Sequence, residues 1–174
     1  MMPAMQPKPV DALHSLAAPR DLIEWVRKLG PDEAVRRAWI DVPRADWMPY
    51  LAVLRGIDKA AIVRATCACA RELAEPALAS PEGARVATVL RDEALVDAEQ
   101  ALEDLRLAML AHGEANQPPW MFWCRLVLEL SRATRRGNPL IGVALALRMM
   151  AGQGGRRGAS ELVARFRDAL LLAG

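Results

Sequence analysis

The sequence predicts an all-α protein, an irregular helical bundle or a solenoid-like stack of eight to nine short helices. Three observations carry that expectation. Apolar residues recur at three- and four-residue spacing in segment after segment. Alanine, leucine and arginine dominate while β-branched residues are sparse, a bias that favours helix at most positions. Proline, glycine and serine punctuate the segments, and no alternating β-branched run bounded by turns is there to make a strand.

Residues 1–10 hold Pro3, Pro7 and Pro9 and are expected to form a disordered arm. The remainder, 11–174, fits one helical domain of ordinary size. A short helical piece at 11–17 precedes the first firm helix at 19–29, where Pro19 suits a first turn and Leu22, Ile23, Val26 and Leu29 make one face. Gly30 ends it and Pro31 starts the next, with Asp32 and Glu33 favourable in its first turn and Ala34, Val35, Ala38 and Trp39 as its buried face. That helix stops before Pro43. Residues 46–55 form a third, entered through Asp46, Trp47 and Met48 because Pro49 fits only a first turn. Gly56 stops it.

Residues 58–74 are apolar or small on nearly every side, with Asp58 as N-cap and Arg64 and Arg71 on one face. A helix of that kind belongs in the middle of a core. Ser80, Pro81 and Glu82 then signal a helix start, and the helical pattern runs from 81 to 112 with a break expected near 91–93, where Asp92 can cap a second helix, or else as one long bent helix. Pro119 and Trp120 open a helix that ends on Arg132, Arg135, Arg136 and Gly137, cations that suit a helix C-terminus. Asn138 and Pro139 start a further helix to about Met150. The run 152–158, GQGGRRG, reads as a flexible loop, and Ser160 as the cap of a final helix to 172.

The net charge of +2 sets up no global field that demands nucleic acid. The distribution is polarised: residues 72–114 carry ten acids against three bases, and residues 129–174 carry eight arginines against three acids. Two readings fit, solvated helix faces that offset one another or a charged docking face for a partner. Three cysteines without framework spacing argue against a disulfide scaffold, and Cys67 and Cys69 point to nearly opposite sides of their helix. The start lacks an apolar leader region, and no apolar run reaches the roughly 18 residues a spanning helix needs, so a cytoplasmic protein is expected, without a membrane partner.

Motifs that carry chemistry are thin. His14 and His112 are far apart, with no paired histidines or CxxC, so no metal or other cofactor is expected. Cys124 beside Arg125 has one feature of an activated thiol, but lacks an obvious base and reads as a core cysteine. The glycine loop with Arg156 and Arg157 lacks the Gly-Lys-Ser/Thr ending of a phosphate loop and no strand precedes it. The carboxylate neighbours Glu103 and Asp104, or Asp92 and Glu93, point to different sides of a helix. The basic end has no interleaved aromatics and no recognition helix, so nucleic acid is not expected as a partner. Trp39, Trp47, Trp120 and Trp123 lie near helix ends, where they fill a core or form an interaction hot spot.

The runs LRGIDKAAIVRATCACARELAEPAL at 54–78, PPWMFWCRLVLEL at 118–130 and NPLIGVALALRMMAG at 138–152, with the acidic helical pair between them, resemble an uncharacterised all-helical bacterial family associated with type VI secretion loci. The texture also looks like that of small helical immunity proteins of toxin systems. The chain departs from the family at Arg64 and Ala65, which follow Ile62 and Val63 where aromatic residues are expected. The resemblance implies no catalytic residues and a protein-binding role. The expectation is therefore a non-enzymatic adaptor, accessory or immunity-like protein that binds another protein, with self-association as a further expectation. Its contact residues are expected among Asp92, Glu99, Glu103, Trp120, Trp123, Arg135 and Arg136. The alternative is a regulator that takes nucleic acid or a small anion on the arginines of 132–136 and 156–157.

Overall fold

The Asp58 carboxylate accepts the backbone amides of Ala60 at 2.7 Å and Ala61 at 3.0 Å, so the capping role read from the sequence is the one the chain uses. The computed structural model describes residues 8–30, 34–92, 95–112, 117–153 and 155–173, with the backbone alone for Pro76, Asp92, Val96, Arg156 and Arg157. Among these residues the fold is all-α, with eleven α-helices, three single-turn 3-10 helices and no strand. In chain order the helices are α1 (Pro9–Ser15), α2 (Arg20–Lys28), α3 (Ala34–Asp41), α4 (Met48–Leu54), α5 (Lys59–Ala74), α6 (Pro81–Asp92), α7 (Ala98–Ala101), α8 (Glu103–Ala111), α9 (Pro119–Arg135), α10 (Pro139–Gln153) and α11 (Gly155–Ala173). The 3-10 turns are Ala45–Trp47, Glu75–Ala77 and Leu95–Asp97.

Most boundaries follow from local chemistry. Ser80 Oγ accepts the Gly83 amide at 3.0 Å and starts α6. Pro49 and Pro119 sit in first turns, where a missing amide costs nothing. At the end of α9 the Gly137 amide donates to the Thr134 carbonyl and the Asn138 amide to the Ala133 carbonyl, both at 3.0 Å. That pattern needs a left-handed residue, and Gly137 supplies it with φ 72°. Gly56 ends α4 in the same way, at φ 81°.

Several expectations are corrected. The helix count exceeds eight to nine because the stretch after α6 is broken into a 3-10 turn and two short helices. Pro9 and Val10, expected in the disordered arm, open α1; the rest of that arm, 1–7, lies outside the described residues. Pro31, Asp32 and Glu33, Glu93, and the 113–116 link also lie outside them. The glycine-rich run is helical rather than a loop: Gly152 and Gln153 end α10, residues 155–158 begin α11, and only Gly154 is outside the described residues. Here tertiary packing overrides the roughly 1 kcal/mol per residue that glycine costs a helix. A side chain at Gly158 would meet the Ala151 carbonyl at 3.8 Å, so the two helix ends lie against each other. Ser160 is consequently an exposed residue inside α11 and caps nothing.

One cluster of buried residues runs from Leu13 to Leu170. Helix α10 is at its centre, in contact with α4, α5, α9, α11 and the 45–47 turn. Helix α5 shares that position, against α4, α6, α9, α10 and α11, but it is not covered all round: Arg64, Ala68 and Arg71 remain half-buried and Glu72 and Leu73 are exposed. Each fully buried leucine of this cluster, such as Leu126 or Leu130, contributes about 1.5–3 kcal/mol. Helices α9 and α10 come close at Gly142, where an added Cβ would lie 2.5 Å from Ala133 Cβ. Among the described residues the two fully buried hydroxyls are both satisfied. Thr66 Oγ1 donates to the Ile62 carbonyl at 2.8 Å, and Ser131 Oγ donates to the Leu95 carbonyl, tying the 95–97 turn to α9.

Candidate partner-binding groove

Residues 64, 65, 68, 71 and 72 of α5 fall on one helical face, and so do residues 165, 168, 169, 172 and 173 of α11. The two faces meet along the most extensive contact that α5 makes. Alanines at 65, 68, 169 and 173 keep the floor low, and the longer side chains stand as walls around a groove of about 620 Å3. Arg165 Nη1 donates to Glu72 Oε2 at 2.8 Å across it. Arg64 Nη2 donates to the Ala173 carbonyl at 2.7 Å, which satisfies a last-turn carbonyl of α11 and leaves the Arg64 charge without a carboxylate partner among the described residues.

Two smaller hollows share lining residues with the groove. Arg71 and Glu72 also line a hollow of about 390 Å3 with Glu75, Leu78, Ala87 and Arg91. Arg165 also lines one of about 230 Å3 with Leu73, Trp123, Met150, Gln153, Gly158, Glu161 and Leu162. Small or apolar side chains and both signs of charge therefore line this side of α5. The sequence signal for it was Arg64 and Arg71 seven residues apart.

Of the residues expected to contact a partner, Trp123 lines the hollow beside the groove, and Glu99, Glu103, Trp120, Arg135 and Arg136 do not line the groove. Trp120 and Trp123 are core residues, each 6% exposed, so neither presents a ring face on the surface. Trp123 packs edge-on against Phe122 with ring centres 5.0 Å apart. Glu99 lies against α9: Arg132 Nε donates to it at 2.8 Å and Arg135 Nη1 donates to its other oxygen. The Arg132 hydrogen bond and the charges of both arginines hold its carboxyl below the usual range. The acidic and basic blocks therefore meet and offset each other at this point. Glu103 pairs within its own helix with Arg106 at 2.6 Å. Arg135 and Arg136 are exposed at the end of α9, and the Asp92 side chain lies outside the described residues.

The thiols sit in the core. Burial pushes Cys69 up to about 12 and Cys124 up to about 11, well above a thiol that would be ionised at neutral pH. His112 is exposed just past α8, with Nδ1 3.2 Å from the Ala108 carbonyl. Among the described residues no three His, Cys, Asp or Glu side chains converge to hold a metal ion, and no helix is long and apolar enough to cross a membrane. No protein-family model, curated protein or solved structure matches this chain.

Proposed function

We propose that the protein is a non-enzymatic adaptor or accessory protein of the cytoplasm that seats a segment of another protein in the groove between α5 and α11. The observation that carries the reading is the groove itself: an alanine floor between two rows of longer side chains, with Arg64 and Arg71 unmatched by carboxylates among the described residues. A floor of that kind accepts the apolar side of an amphipathic helix, and the mixed rim selects among partners by charge. The buried, strongly protonated thiols support a non-catalytic reading of the cysteines. The resemblance of residues 54–78, 118–130 and 138–152 to proteins of type VI secretion and toxin–immunity loci supports a partner from such a locus.

The test is affinity capture with the native chain and two groove variants as bait, read by mass spectrometry. Ala68→Trp fills the floor and Arg71→Glu reverses the rim. The expected result is one stoichiometric partner on the native chain that both variants lose while their far-ultraviolet circular dichroism stays native. A partner retained equally by Ala68→Trp would overturn the groove as its seat. The same experiment with Glu99→Lys and Glu103→Lys locates the partner instead on the acidic face if only those variants lose it.

A further inference from the structure

We propose that the hollow at the C-terminal end of α9 is a binding site for a compact phosphate-type oxyanion, with pyrophosphate favoured over phosphate. It encloses about 350 Å3 and is lined by Glu99, Arg132, Arg135 and Arg136, none of which lines the groove between α5 and α11. Three guanidiniums face one carboxylate. Glu99 accepts from Arg132 Nε at 2.8 Å and from Arg135 Nη1, and Glu129 accepts from Arg132 Nη1 at 2.9 Å. Among the described residues that leaves Nη2 of Arg132, Nε and Nη2 of Arg135 and the whole Arg136 guanidinium without a protein acceptor. Guanidinium donors grouped this way suit the several oxygens of a phosphate better than a single carboxylate.

A helix C-terminus ordinarily repels an anion. At α9 that repulsion is blunted, because the carbonyls of Arg132, Ala133 and Thr134 already accept the amides of Arg136, Asn138 and Gly137 at 3.1, 3.0 and 3.0 Å. Among the described residues the lining is entirely charged and carries no aromatic or apolar wall. It therefore offers no platform for a nucleobase or an acyl chain, and the ligand is the oxyanion itself. Glu99 is the built-in competitor for the site. It is held on α7, a helix of four residues, and a multiply charged anion displaces its single negative charge from two arginines.

The test is a calorimetric titration with inorganic pyrophosphate, inorganic phosphate and acetate at one low ionic strength, with arginine side-chain NMR to locate the site. Pyrophosphate is expected to bind best, then phosphate, then acetate, with shifts at Arg132, Arg135 and Arg136. Arg136→Ala is expected to weaken pyrophosphate about tenfold, the equivalent of one hydrogen bond to a charged group. Glu99→Gln is expected to strengthen it several-fold by removing the competing charge, a gain that a purely structural role for Glu99 would not give. Arg148→Ala, an exposed arginine on α10, is the control and leaves binding unchanged; Arg135→Gln replaces Arg136→Ala if that variant unfolds. Acetate binding as tightly as pyrophosphate, equal losses at Arg136 and Arg148, or no shift at the three arginines would each overturn the proposal.

Discussion

Arg167 on α11 donates to the backbone carbonyl of Trp39, 128 residues away, and its guanidinium lies 5.7 Å from the centre of the same residue's indole. It also donates to the Ile40 carbonyl at 3.0 Å. These carbonyls belong to the last turn of α3, where a helix has no partners of its own for them. Burial lowers the Arg167 pKa from its usual value, with Asp41 acting the other way. Arg167→Ala is expected to destabilise the protein by about 1–3 kcal/mol, since it leaves two carbonyls short of a donor and removes a cation over an indole. Arg167→Lys restores less than half, because an ammonium lacks the planar fork. Urea unfolding followed by tryptophan fluorescence measures both, and a midpoint unmoved in the alanine variant would show that the clamp carries no weight.

Gly142 is where α10 meets α9. An added Cβ would lie 2.5 Å from Ala133 Cβ and 3.3 Å from Leu130 Cα, so the helices have to part. Gly142→Ala is expected to cost about 1–3 kcal/mol despite alanine's better helix propensity. Adding Ala133→Gly on the facing helix relieves the nearest clash. The double variant is expected to be more stable than the sum of the two single changes, and strict additivity in a thermal double-mutant cycle would sink the argument.

Ala17 ends α1 at φ 52° with the same pair of carbonyl bonds that glycine makes at the ends of α4 and α9. A side chain there is strained. Ala17→Gly is expected to stabilise by about 0.5–1 kcal/mol, the relief of that strain less the extra freedom glycine brings to the unfolded chain. A lower unfolding temperature would contradict it.

The surface carboxylates set the acid behaviour. Arg85 forks onto Asp104 and holds its carboxyl down to about 2, and Glu99 and Glu103 are lowered by Arg132 and Arg106. Each folded value lies below the unfolded one. Their stabilisation is therefore complete above the ordinary carboxylate range of about 4 and is lost as pH falls through the folded values. Urea midpoints are expected to stay level from neutral pH to about 5 and to fall below about 4, less steeply in Asp104→Asn. These groups are exposed, so added salt shrinks the difference. An identical acid profile for Asp104→Asn, with no carboxyl signal titrating near 2, would remove Arg85 from the account.

The all-α class was legible because every signal for it is local. Asp58 and Ser80 cap, Gly56 and Gly137 stop, and Pro49 and Pro119 start helices through bonds made within a few residues. What failed was decided by distant packing. The GQGGRRG run reads as a loop by propensity, yet α10 and α11 lie together at Gly158 and Ala151. After α6, Ser131 holds the Leu95 carbonyl of the 3-10 turn from 36 residues away, a bond that no local pattern announces. Glu99 reads as a surface acid until α9 brings Arg132 and Arg135 beside it. The groove escaped notice because its two halves lie on helices nearly a hundred residues apart; Glu72 and Arg165 are separated by 93 positions.

The short pieces between α6 and α9 have a consequence for how the molecule breathes. Helices α7 and α8 rest chiefly on α9, and α8 turns Leu107 and Leu110 to water, 52% and 73% exposed. Held by the buried side chains of Ala98, Leu102 and Leu105, they are expected to open at a lower free energy than α5, α9 and α10, which share the centre of the core. Native-state amide exchange is expected to rank them in that order. Each such opening carries Glu99 away with α7 and releases Arg132 and Arg135 from its carboxylate.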